Sequence, residues 1–234
     1  MGFKRCIQPD VLKEGKALTA AMVGIGMNFS ETPLRDANIE DTLLAASVEG
    51  MERDDLRTLA VLTTWLGVHL AYVNADRLVQ LVAAHTSKRV RAYWGSIAAW
   101  QATDHRFARL RTAHKGRRMD LLAVGTEFQV GRHGEDPRFK GGPLRVAANT
   151  LRDRPQDILT PSQVARRHRA YRCRVLLGPS YRADMWALLE EDPSITASEL
   201  ARKAYGSVAT AWTAKQQWAV LHGGEQARQG AGAP

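Results

Sequence analysis

Residues 181–221 read YRADMWALLEEDPSITASELARKAYGSVATAWTAKQQWAVL, and the punctuation of this stretch decides the fold. YRADMWALLEED places Tyr181, Met185, Leu188 and Leu189 at helical spacing and is closed by Pro193, which cannot continue a helix. ITASELARKAYG follows as a shorter helix, with Thr196 or Ser198 as N-cap and Leu200 and Ala204 on its buried side. Gly206 makes a turn, and Ser207 opens a third helix, SVATAWTAKQQWAVL. In that helix Val208, Ala211, Trp212 and Ala219 are assigned to the core, which leaves Thr210, Thr213 and Gln217 outward at i, i+3 and i+7.

Upstream, the helical period continues. Ile39, Leu43, Leu44 and Val48 follow Asn38 at helical spacing, with Gly50 as a stop. Asp54 or Asp55 caps a second helix bearing Leu56, Leu59, Ala60, Leu62, Leu66 and Leu70. NADRLVQLVAAH opens a third at Asn74, where Asp76 complements the helix dipole. A fourth is expected over 96–112, capped by Ser96 and carrying Ile97, Trp100, Phe107 and Leu110. The short connections make these antiparallel neighbours in a bundle. DLLAVGTEFQV, from Asp120 to Val130, then offers one or two short strands, and GRHGEDPRFKGGP, residues 131–143, reads as a loop and a domain boundary. Thr160-Pro161 restarts a helix through TPSQVARRHRAYRCRVLL.

The expected fold is mainly α, with few short strands in the middle. Residues 1–130 form a helical partner or dimerisation domain, 131–178 a basic linker and helix, 179–222 a three-helix domain, and 223–234 a disordered tail.

The chain has 234 residues, 44% of them hydrophobic and 24% charged, which excludes wholesale disorder and collagen-like order. No run approaches the ~18 apolar residues of a spanning helix, so a membrane partner is not expected. Ala17 to Met27 follows Lys4, Arg5, Lys13 and Lys16 in the outline of a signal peptide, but Asp10, Glu14, Gly15, Gly24 and Gly26 interrupt it. Cys6 and Cys173 stand alone, without a CxxC neighbourhood, so neither a disulfide framework nor a zinc site is expected. A cytoplasmic location follows.

The net charge of +9 is concentrated in two blocks. Residues 86–118 hold 9 basic and one acidic side chain; residues 138–182 hold 11 basic and two acidic, and all but Lys140 of those 11 are arginine. Arginine favours bidentate phosphate contacts, and Tyr93, Trp94, Trp100, Phe107 and Tyr171 interleave with these blocks as on nucleic-acid surfaces. A solvated face or a seat for an acidic protein is the bland alternative.

Residues 179–221 resemble the helix-turn-helix and winged-helix domains of bacterial transcription regulators, in their long helix, short TASELARKA helix, tight turn and third helix. HGGEQARQG after Leu221 lacks the strands of a wing, which implies a tri-helical form or a strand supplied from upstream. The resemblance implies duplex DNA as partner, with Ser207, Thr210, Thr213 and Gln217 on the recognition helix. Glutamine can read adenine, and threonine can meet phosphate or the thymine methyl. Arg202 and Lys203 suit backbone contacts, and Arg166, Arg167 and Arg169 hold phosphates without reading sequence. A toxin partner, in an antitoxin-like autoregulator, and a homodimer complete this reading.

Against catalysis, the seven histidines form neither HExxH nor the H-x-E of zinc deaminases. Asp104-His105 and His133-Gly-Glu-Asp136 are the only close His/acid groups, and solvated side chains explain both. GxxxxGK[ST] and GxSxG are missing, and GIG at 24–26 lacks the rest of a dinucleotide fingerprint. Neither catalytic residue, cofactor nor metal ligand is expected. The alternatives are a non-catalytic adaptor binding an acidic protein, a three-helix bundle that touches no DNA, and a nucleic-acid-processing enzyme with a dispersed active site.

Overall fold

The structure, a computed structural model, describes residues 11–230, with side chains described through His222. It is mainly helical, with two short strands, and it divides into two compact units between His168 and Arg169.

In the first unit, α1 (Gly15–Gly24), α2 (Ile39–Glu52), α3 (Leu56–His69), α4 (Ala75–Ala84) and α5 (Lys88–Trp100) pack around a core holding Leu43, Leu62, Trp65, Tyr93 and Trp94. Their starts are chemical. Asn38 caps α2, Asp55 caps α3 and Asn74 caps α4, each accepting the N–H of the residue three positions on. Gly50 does not stop α2. The helix runs on to Glu52, and Gly50 is the point where α3 touches it, since a Cβ there would lie 2.9 Å from Leu59 Cβ. Ala17 to Met27 lies in and just after α1, with Leu18, Ala21, Met22, Ile25 and Met27 all buried.

The fourth long helix is not 96–112. It is α5, capped by Ser87, with Val90, Tyr93, Trp94 and Ile97 inward at i, i+3, i+4 and i+7. Ser96 sits fully buried inside it, and its Oγ accepts the N–H of Leu144 at 2.9 Å. Residues His105–Thr112 form a separate 3-10 run, opened by Asp104.

DLLAVGTEFQV yields the end of one strand and a helix. β1 (Met119–Asp120) pairs in parallel with β2 (Leu144–Arg145), and α6 (Thr126–His133) follows β1 between Gly125 and Gly134. The Gly/Pro-rich stretch 131–143 is no boundary. Asp136 N–H bonds the Val146 carbonyl, Gly142 packs on Ser96, and Arg118 donates to the Phe139 and Gly142 carbonyls.

The last helix of this unit, α7 (Pro161–Arg167), has Thr160 as cap, in a reciprocal capping box with Gln163. It does not continue through TPSQVARRHRAYRCRVLL as one helix. His168 is extended, at φ −124 and ψ 110, and its buried Nε2 donates to the Ala37 carbonyl at 2.8 Å. The preceding stretch is sewn to the same unit. Asn28 N–H bonds Asp157 O at 2.7 Å, Leu159 N–H bonds Gly26 O at 2.8 Å, and Arg154 N–H bonds Thr64 Oγ1 at 3.1 Å. These ties place residues up to His168 with the first unit.

The second unit holds α8 (Arg169–Leu177), α9 (Tyr181–Glu191), α10 (Ala197–Lys203) and α11 (Val208–Gly230). Residues 223–230, read from composition as a tail, continue α11, and residues 231–234 lie outside the described residues, as does Cys6. Thr196 caps α10 and Ser180 caps α9. Met185, Leu189, Ile195, Leu200, Ala201, Ala204, Ala211 and Ala214 form the core, with Leu188 and Trp218 against its edge. Trp212 is not core. It is 59% exposed, and Val208 and Ala219 are exposed with it. The inward residues of α11 are Ala211, Ala214 and Trp218, because α10 and α11 meet too closely for a large side chain. At Gly206 an added Cβ would lie 2.3 Å from Met185 Cε.

Candidate nucleic-acid interface

The connection from α10 to α11 is four residues, Ala204 to Ser207. Tyr205 takes φ 56 and reverses the chain in the left-handed region, a single strained residue of a kind usually left to glycine or asparagine. Gly206 N–H then bonds the Ala201 carbonyl at 2.9 Å, and Ser207 Oγ accepts the N–H of Thr210 at 3.1 Å. Ser207 and Thr210 hydroxyls also bond each other at 2.8 Å, so both are occupied by the cap and half-buried.

Along α11, Thr213 is exposed, with its hydroxyl donating back to Ala209 O at 3.1 Å. Gln217 is half-buried. Its Oε1 is shielded from solvent and has no hydrogen-bond partner, which is poor geometry for reading a base. Ala209 and Gln216, which the pattern did not single out, are exposed beside Thr213. Arg202 and Lys203 stand exposed at the end of α10 and share one carboxylate, Glu199, at 4.0 and 3.3 Å. The turn therefore brings Arg202, Lys203, Ser207, Thr210 and Thr213 together on one hairpin.

Arg166, Arg167 and Arg169 do not form one group. The first two are exposed on the last turn of α7 in the first unit, whereas Arg169 opens α8 in the second and pairs with Glu191 at 3.0 Å.

The basic blocks themselves separate into two populations. Many arginines fasten the fold. Arg106 reaches the carbonyls of Leu70, Ala71 and Val73 at 3.3–3.4 Å, and Arg111 reaches those of Ala98 and Ala102, so both close helix ends. Arg145 grips Asp120 at 2.6 and 2.9 Å, and Arg138 joins Asp136 to Asp153, both at 2.6 Å. Arg174 and Asp184 form a buried bidentate pair at 2.7 and 2.9 Å, and Arg77 pairs with Asp41 in the other unit. Hydrogen bonds from Arg106 and from Arg145 hold Asp104 and Asp120 below the usual carboxylate range. Lys88, Arg109, Lys115, Arg117, Lys140, Arg152, Arg166, Arg167 and Arg182 form the second population. They are exposed and make no side-chain hydrogen bond or ion pair among the described residues. A charge run in sequence does not distinguish the two, since both are arginine at similar spacing.

Three of the aromatics interleaved with the blocks, Tyr93, Trp94 and Phe107, are buried in the first unit, as is Tyr171 in the second. The exposed aromatic of the first unit is Phe128 on α6, 67% exposed, beside Val124. The two His/acid pairs dissolve on inspection. Asp104 binds Arg106, and Asp136 binds Arg138, rather than either histidine. Among the described residues no three His, Cys, Asp or Glu side chains gather as a metal ion requires. Cys173 is buried beside Glu190, with its thiol pushed up to about 12, chiefly by burial, and is therefore not a nucleophile near neutral pH. No described helix is long and apolar enough to cross a membrane. Comparison of the chain with protein families, with characterised proteins and with solved structures returned no match, so its residues alone carry the functional argument.

Proposed function

We propose that this chain is a DNA-binding regulator whose reading module is the helical hairpin α10–α11 supported on α9. The observation that carries the proposal is the Ala204–Ser207 connection. A seven-residue helix is followed by one left-handed residue, a glycine pressed against the supporting helix, and a capped second helix. That is the connection by which helix-turn-helix proteins present the start of a recognition helix to the major groove. Arg202 and Lys203 precede the turn, where backbone phosphate contacts fix register. Thr213 and Gln216 project from the outward face and supply groups for base edges. The unpaired cations of the first unit add sequence-independent attraction. In the finer form of this reading the chain is an antitoxin-like autoregulator, with its first unit holding a toxin.

A gel-shift titration of the full chain on mixed duplex DNA tests the proposal. Affinity should fall steeply and log-linearly with salt, through counterion release. Failure to shift DNA at low salt would leave the second reading, an adaptor for an acidic protein. Phe128 and Val124, exposed on α6 with Arg132 and His133 in its last turn, favour that reading, since such a surface suits a partner both apolar and acidic.

A further inference from the structure

We infer that the edge of α11 formed by Val208, Trp212 and Ala219 is the surface on which a second copy of this chain docks. Twelve large hydrophobic side chains are exposed among the described residues, and seven of them belong to the second, smaller unit. Four of those seven lie on α11: Val208, Trp212, Val220 and Leu221. Contiguous apolar exposure of this kind marks an interaction site rather than ordinary surface.

The composition of the edge selects the occupant. Between Lys203 and His222 the only charged residue is Lys215, and its ammonium is turned aside to the Ile195 carbonyl. A strongly acidic or basic partner would find no opposite charge there. A second copy meets no like-charge repulsion, and depletion of charge around a central tryptophan is the composition of an interface core.

Helical geometry supplies the fit. At about 100° per residue, Val208, Trp212 and Ala219 fall within about 40° of one another, whereas Thr210, Thr213 and Gln217 fall on the opposite flank. Association and DNA reading therefore use different edges of one helix, and the inference stands whether or not DNA is the ligand. Two copies of α11 related by an antiparallel twofold between Trp212 and Ala219 set each indole against the other copy's small methyl. This is a self-complementary, isologous contact.

Sedimentation equilibrium of the full chain without DNA tests this, with circular dichroism melts of every variant. The wild-type chain should dimerise. Trp212→Glu and Ala219→Arg should each raise the dimer dissociation constant about 30-fold or more, as loss of an interface anchor does. Both positions are exposed, so melting should be unchanged; should Trp212→Glu unfold, Ala219→Arg carries the test alone. Mixing the two variants puts the new carboxylate opposite the new guanidinium and should restore a heterodimer. A wild-type chain that stays monomeric throughout, or folded variants that dimerise as tightly as it does, would overturn the inference. A mixture that fails to associate while the wild type dimerises would overturn the antiparallel pairing.

Discussion

Nε2 of His69 in α3 donates to the carbonyl of Leu159, 2.9 Å away and 90 positions later, while the ring stacks on Trp65 at 4.6 Å. Burial holds the imidazole neutral and lowers its pKa from 6.5 to about 4. The segment before α7 is thus fastened to the helical bundle by a group that must stay unprotonated.

The pH dependence follows with a definite sign. The unfolded chain takes up this proton near pH 6.5 and the folded chain only near pH 4, so the contribution is complete above pH 6.5 and drains away as pH falls. The slope is about 1.4 kcal/mol per pH unit, for about 3 kcal/mol in all. Urea melts at several pH values should show this, and His69→Gln should lose one proton's worth of slope between pH 6.5 and 4. An identical slope in that variant would refute the assignment.

Packing on α11 gives a paired expectation. Ala214→Leu forces three extra carbons into the contact with α9 and α10 and should cost ~1–3 kcal/mol as overpacking. Trp212→Ala, at an exposed position, should change monomer stability by no more than ~0.5 kcal/mol. Melting curves at concentrations below any dimerisation threshold separate the two.

The two arginine populations should respond oppositely. Arg174→Ala leaves Asp184 buried without its bidentate partner and should cost ~3–5 kcal/mol of stability. Arg166→Glu with Arg167→Glu should leave stability nearly unchanged while weakening binding to every DNA sequence about equally and flattening the salt dependence. Arg169 is best varied separately, because its charge already answers Glu191. Normal DNA affinity in the double variant would assign α7 to solvent or to a protein partner.

For base reading, Thr213 and Gln217 should diverge. Thr213→Ala should relax preference at one base position by ~1–3 kcal/mol in a selected-site experiment. Gln217→Met removes a buried, unpartnered carbonyl and should hold or raise stability without altering site preference. Changed preference in the Gln217 variant, with none in the Thr213 variant, would reverse this assignment.

Much of this was legible in the residues alone, because caps and breakers act locally. Asn38, Asp55, Asn74, Thr160 and Thr196 each satisfy backbone donors within three positions, and Pro193 and Gly206 interrupt helices through their own φ restrictions or freedom. The helical class and the three C-terminal helices follow from these. Tertiary structure decided what local chemistry leaves degenerate. Trp212 and Trp218 both fit a helical apolar stripe, and only the close approach at Gly206, which admits alanines alone, turned Trp218 inward and Trp212 out. The basic blocks likewise fix net charge, but whether an arginine answers a carbonyl, a buried carboxylate or water depends on groups far away in sequence. Arg106 finds the end of α3 more than thirty positions back, and Arg109, one helical turn on, finds solvent. The boundary at His168 rests on the same cause, hydrogen bonds from residues 154–168 to α1, α3 and Ala37, which no composition reveals.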